Sequence, residues 1–154
     1  MKSYRPGPLG SLMDEYERTI RELQEILRKL SIKDYERLSN PTSPDPDCLS
    51  VQTIMSHVIS SGYGYATYIR NSLGVKANRP DIPLLSQADS IAELEKMFAY
   101  TLETFEGRWE MNEDQMLTIL VHTRWSEYDI ESMLEHAIVH ILRHRRQIEK
   151  LMTL

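Results

Sequence analysis

In the stretch LEHAIVHILRHRRQIEKL, residues 134–151, apolar residues return every three or four positions and histidines every four. A period near 3.6 belongs to an α-helix with one buried stripe. Working outward, Asp129 offers an N-cap, Glu131 and Glu135 lie near the start, and Arg143, Arg145, Arg146 and Lys150 lie towards the end. That charge order complements the helix macrodipole, and the whole pattern predicts a helix over Ile130–Met152. With Ile130 at 0° and about 100° per residue, Met133, Leu134, Ala137, Ile138, Ile141, Leu142, Ile148, Leu151 and Met152 fill an arc from about 300° through 0° to about 120°. Arg145 falls inside this arc, so it is expected to pair internally with a carboxylate of the first helix, such as Asp14 or Glu17.

Three further segments carry the same kind of periodicity. Leu12, Met13, Tyr16, Ile20, Leu23, Ile26, Leu27 and Leu30 predict a first helix over about Leu9–Leu30, with Glu15, Arg18, Glu22, Glu25 and Lys29 on its outer face. Residues 31–38 have room for one short turn of helix. The proline-rich run SNPTSPDPDCLS (39–50) is a loop, and Ser50 caps a second helix from Val51 to about Leu73, closed by Gly74 in a left-handed C-terminal position. The run VKANRPDIPLLSQAD (75–89) is a long crossover. Ser90 and Glu93 then match the S-x-x-E capping box, which predicts a third helix to about Met111 with the stripe Ile91, Leu94, Phe98, Leu102, Phe105 and Trp109. Between it and the last helix, EDQMLTIL (113–120) fits a short helix and VHTRWSEY (121–128) reads as extended. No β-alternation lasts long enough for a sheet, and nothing repeats at a fixed period. Four one-faced helices joined by long connections predict an all-α four-helix bundle in a single domain over 1–154.

Composition narrows the function classes. At 154 residues, 41% hydrophobic and 27% charged, the chain has the make-up of one soluble globular domain. No apolar run approaches the roughly 20 residues of a membrane span, and the start lacks the apolar segment of a secretory signal. The GPLGS run at 7–11 leads unbroken into the first helix and is read as native. A single cysteine, Cys48, excludes an internal disulfide and makes the cytoplasm the expected compartment. The net charge of -5 argues against a nucleic-acid binder. So do Arg143, Arg145 and Arg146, which point to about 220°, about 60° and about 160°, all round the helix.

The histidines point to chemistry. Five in 154 residues predict about 0.3 in a nine-residue window, yet His136, His140 and His144 share one. His140 at about 280° and His144 at about 320° lie at the edge of the buried arc, with Gln147 at about 260° and His136 a step outside at about 240°. Side chains at i and i+4 stack on one helix face, the device by which an H-E-x-x-H motif holds zinc, although no glutamate follows the first histidine here. On the second helix His57 falls at about 240° from Val51, again at the core margin, with Ser61, Tyr65 and Tyr68 following along that edge. Bundle metal sites are built from such inward-facing positions, and three neutral imidazoles leave coordination positions open, as catalytic sites require. The plainer alternative is a structural or vestigial histidine cluster in a non-catalytic dimeric or partner-binding bundle. Cys48 has no basic neighbour in sequence, and His122 is expected to be exposed or structural.

The stretch LEHAIVHILRHRRQIEKL resembles the last-helix signature of the DinB/YfiT-like superfamily of four-helix metalloproteins, a pattern like H-x-x-x-H-R-x-Q. MSHVISSGYGYATYIRN (55–71) is similar to the helix that donates that family's first histidine. The resemblance spans nearly the whole chain and implies a DinB/YfiT-like bundle in which His57, His140 and His144 ligate one divalent metal, with His136 and Gln147 beside them. Many members read H-R-G-Q where this chain has His144, Arg145, Arg146 and Gln147. The resemblance further implies zinc or nickel, with iron third, and a homodimer. It implies activation of a water or a low-molecular-weight thiol for hydrolysis or S-transfer on a small molecule.

Overall fold

A computed structural model describes residues 3–153; Met1, Lys2 and Leu154 lie outside it. The chain is mostly helical. Four long helices, α1 (Gly7–Lys29), α3 (Val51–Ser72), α4 (Gln87–Glu103) and α6 (Ile130–Met152), are supplemented by short α2 (Ile32–Glu36) and α5 (Glu113–Thr118). A 3-10 turn, Pro46–Cys48, precedes α3, and an antiparallel hairpin, β1 (Leu120–His122) and β2 (Glu127–Asp129), precedes α6. Each long helix packs on two others: α1 on α4 and α6, and α3 on α4 and α6. Among the described residues, no helix is long and apolar enough to cross a membrane.

The core is where the periodicity places it. On α1, Leu9, Met13, Tyr16, Ile20, Leu23 and Leu27 are all buried, at alternating spacings of four and three. They meet Val51, Ile54, Met55, Val58, Ile59 and Ile69 of α3, Leu94, Met97 and Phe98 of α4, and Met133, Leu134, Ala137, Ile141 and Ile148 of α6 in one cluster. Burying each large side chain contributes roughly 1.5–3 kcal/mol. Close approach of α3 to α4 depends on Gly62, where a Cβ would fall on the Met97 sulfur.

All three caps predicted for the second and last helices form. Ser50 Oγ accepts from the Thr53 amide at 3.1 Å, Gly74 takes a φ of 78° after Leu73, and Asp129 Oδ1 accepts from the Ser132 amide at 2.7 Å. Three expectations are corrected. The third helix starts a turn earlier than the S-x-x-E signal indicates: Ser86 is its N-cap, accepting from the Asp89 amide at 3.1 Å. Ser90 is instead fully buried inside α4, its Oγ 2.6 Å from the Tyr35 hydroxyl of α2. That helix ends at Glu103 rather than Met111, because the chain tightens into turns that pass through Gly107 at a φ of 72°. Arg145 does reach α1, but its partner is Glu22 rather than Asp14 or Glu17. Those two acids are held by Arg5 on the far side of the helix start. The segment 113–128 divides as read, into α5 and an extended part, and the latter pairs on itself, Val121 opposite Tyr128.

Candidate metal centre

The contact of α3 with α6 places His57 against the histidines of the last helix. His57 Nε2 lies 3.2 Å from His140 Nε2, and the ring centroids are 5.1 Å apart for His57–His140, 5.1 Å for His57–His144 and 4.5 Å for His140–His144. One ring nitrogen from each lies within 4.8 Å of the other two. Two nitrogens bound at about 2.0–2.1 Å to a tetrahedral ion stand about 3.3 Å apart, so the His57–His140 separation fits a shared cation. Among the described residues no other group of histidine, cysteine or acidic side chains converges in this way.

Each outer ring is held by its far nitrogen. Asp47 Oδ2 lies 3.0 Å from His57 Nδ1, and Gln147 Oε1 lies 2.9 Å from His144 Nδ1. With Nδ1–H donating to these oxygens, Nε2 of both rings carries its lone pair inward, the tautomer a metal ligand needs. The Cys48 thiol donates to Asp45 Oδ2 at 3.6 Å. Asp47 is positioned by the 3-10 turn, where Asp45 Oδ1 accepts the Asp47 amide at 2.9 Å.

Burial holds His140 and His144 in their neutral form. His140 is only 6% exposed, and burial, reinforced by His144, His57 and Arg143, pushes its pKa down to about 3. Burial also lowers His144, against the opposing bond from Gln147. Without an ion, a neutral His140 can donate its Nε2–H to the His57 Nε2 lone pair across this 3.2 Å contact; with the other tautomer of His140, both lone pairs would turn inward to a shared cation. The Cys48 thiol is pushed up by burial, against the opposing effect of Gln147, so it is not an activated nucleophile.

The remaining sequence candidates separate cleanly. His136 does not join the triad. It packs edge-on to Tyr65 at 5.2 Å and Tyr128 at 5.5 Å, and stacks beside His140 at 6.4 Å. Gln147, by contrast, lies within hydrogen-bond distance of His144 Nδ1. His122 is exposed on the hairpin and pairs with Glu127. Asp47 was not singled out by sequence, and the only trace of it is an acid in a Pro/Asp loop ten residues before His57. Nor was Trp125, which lies against Tyr65, Tyr68 and His136. A cavity of about 200 Å³ lined by His57, His140, Ser61, Tyr65, Tyr68 and Trp125 gives a small molecule access to the cluster.

No protein-family model matches the chain, and no curated protein matches it. The centre is therefore defined by its own geometry: a mostly helical protein with three convergent histidines from two helices.

Proposed function

We propose that this chain is a divalent-metal-dependent enzyme with a DinB/YfiT-like four-helix bundle, acting on a small molecule by hydrolysis or by transfer to a low-molecular-weight thiol. The observation that carries it is the convergence of His57, His140 and His144, with His57 and His144 held through Nδ1 by Asp47 and Gln147. These three histidines hold the ion, zinc or nickel before iron, since imidazole suits all three. The ion supplies Lewis-acid activation, which lowers the pKa of a water or thiol into the neutral range. Asp47 orients His57, and Gln147 orients His144. Tyr65, Tyr68 and Trp125 wall the adjoining cavity and limit water around the reacting group.

The test is metal content of purified protein beside the His140→Ala/His144→Ala variant, with thermal unfolding run with and without chelator. Metal in the wild type alone, and a chelator-sensitive transition, supports the reading. Equal, negligible metal in both refutes it. Turnover is then sought with electrophiles plus thiols and with esters and amides. The proposed homodimer is checked by light scattering, with Val139, on α6 and 49% exposed, as one outward apolar residue to substitute.

A further inference from the structure

We infer that the trough leading away from the three histidines recognises an anion: Arg79 and Arg124 bind the carboxylate or phosphate of a small organic substrate whose apolar body lies on Tyr65, Tyr68 and Trp125. The inference deepens the enzyme reading above and rests on it for the identity of the reacting end.

The cavity beside His57 and His140 shares Gly64, Tyr68, Arg79 and Arg124 with a second cavity of about 260 Å³ that runs on to Asn71 and Asn78. The two form one trough along the edge of α3. Gly64 lies seven residues beyond His57, about 10 Å along the helix axis. There the Arg79 side chain crosses the helix: a Cβ at Gly64 would stand 3.2 Å from Arg79 Cδ and 3.5 Å from its Nη1. The missing side chain is the notch that seats the arginine. Its backbone is tied on both sides. The Ala77 amide donates to Asn71 Oδ1 at 3.0 Å, and Ser56 Oγ donates to the Pro83 carbonyl at 3.1 Å.

Arg124 comes from the opposite wall, at the tip of the β1–β2 hairpin. Thr123 Oγ1 accepts there from the amides of Trp125 at 3.3 Å and Ser126 at 3.0 Å, which holds the turn in shape. Beside it the Trp125 ring is fixed by donation from Nε1 to the Tyr128 hydroxyl at 3.0 Å and by Tyr68 at 5.7 Å between centroids. It nevertheless remains 53% exposed.

Charge selects the ligand. Arg5, Arg37, Arg70 and Arg145 all have carboxylate partners. Among the described residues, Arg79 and Arg124 pair with no carboxylate, as is also true of Arg28, Arg108, Arg143 and Arg146; what sets these two apart is that both line the trough, where no carboxylate does. Two uncompensated guanidinium forks facing one concavity match a carboxylate or phosphate, whose oxygens accept paired N–H bonds. The volume suits one ring and a short chain rather than a polymer. A substrate anchored there presents its other end to the histidines.

The experiment titrates phenyl phosphate, phenylacetate and neutral 2-phenylacetamide into chelator-treated and Co²⁺-loaded protein by calorimetry. The two anions distinguish phosphate from carboxylate recognition. At least one anion is expected to bind wild type about tenfold or more tightly than phenylacetamide does, and to lose about tenfold or more in Arg79→Gln/Arg124→Gln. Both arginines are exposed, so that variant keeps its melting temperature. Gly64→Ala unseats Arg79 and weakens the anion severalfold while Co²⁺ uptake stays unchanged. After Co²⁺ loading, His140→Ala/His144→Ala lacks the visible Co²⁺ bands of the wild type, which reads the metal centre separately from the anion site. Failure of both anions to bind wild type, equal binding of phenylacetamide, or unchanged affinity in Arg79→Gln/Arg124→Gln overturns the inference. Anion binding in a wild type that takes up no Co²⁺ overturns the metal reading and leaves the anion site standing.

Discussion

Replacing Asp47 with alanine tests the centre at a point where fold and chemistry separate. Asp47 touches His57 through Oδ2, 3.0 Å from Nδ1, so its removal frees the ring to rotate away from the site. Losing such a support costs roughly 10–100-fold in metal affinity. The Asp47 side chain is 57% exposed, which screens its charge and places the expectation at the lower end, about tenfold or about 1.4 kcal/mol. Asparagine keeps an acceptor for Nδ1–H but not the charge, so Asp47→Asn is expected to lose only about threefold. Zinc affinity is read by competition with a chromophoric chelator, and stability by thermal unfolding. With zinc held at about 100 times the wild-type Kd, mass action stabilises the wild type by about 2.7 kcal/mol and Asp47→Ala by about 1.4 kcal/mol. That difference lowers Tm by about 3–5 °C in a domain of this size, whereas the chelator-treated proteins melt together. Zinc affinity unchanged in Asp47→Ala would falsify the supporting role. An equal fall in the metal-free protein would show that Asp47 serves the turn rather than the ligand.

Three further outcomes follow from the packing and the titration of the core. Gly62→Leu drives a side chain into Met97 across the α3–α4 contact and is expected to cost about 2–3 kcal/mol by urea unfolding, with α-helical circular dichroism retained. Tyr35→Phe strands the fully buried Ser90 Oγ, now 2.6 Å from the tyrosine hydroxyl, and should cost about 1–3 kcal/mol. Ser90→Ala in the same chain should recover part of that loss in a double-mutant cycle. In chelator-treated protein His140 is neutral both folded and unfolded above its ordinary pKa of 6.5, so it confers no pH dependence there. As pH falls below 6.5 the unfolded chain takes a proton that the folded chain, with a pKa of about 3, refuses. Stability is therefore lost between about pH 6.5 and about pH 3, by about 3 kcal/mol at pH 4. His140→Leu should remove that component of the acid loss, read as a flatter stability profile over the same window.

How much of this was legible in sequence depends on the range of each interaction. The extents of α1, α3 and α6 followed from side-chain period and local caps, because a helix buries one face and an N-cap acts over three residues. The start of α4 did not. Ser86 with Asp89, and Ser90 with Glu93, offer equivalent signals one turn apart, and the choice is made by Tyr35, 55 residues away, which takes the Ser90 hydroxyl into the core. Arg145 shows the same division: its position on the wheel required an internal acid, but the axial offset between α1 and α6 selects Glu22.

The site divides along the same line. The i, i+4 spacing of His140 and His144, and the place of His57 at the margin of a second helix, are properties of the chain itself, since a turn of about 100° per residue sets which side chains share a face. The sequence by itself thus determined the extents of α1, α3 and α6 and which helix faces carry His57, His140, His144 and Gln147. Only the tertiary structure decided that Asp47 folds back onto His57, that Trp125 and Arg124 reach the trough from a hairpin, and that Arg79 crosses α3 at Gly64. Those residues lie in loops, where no period constrains direction, and their positions follow from how the loops are tied to packed helices.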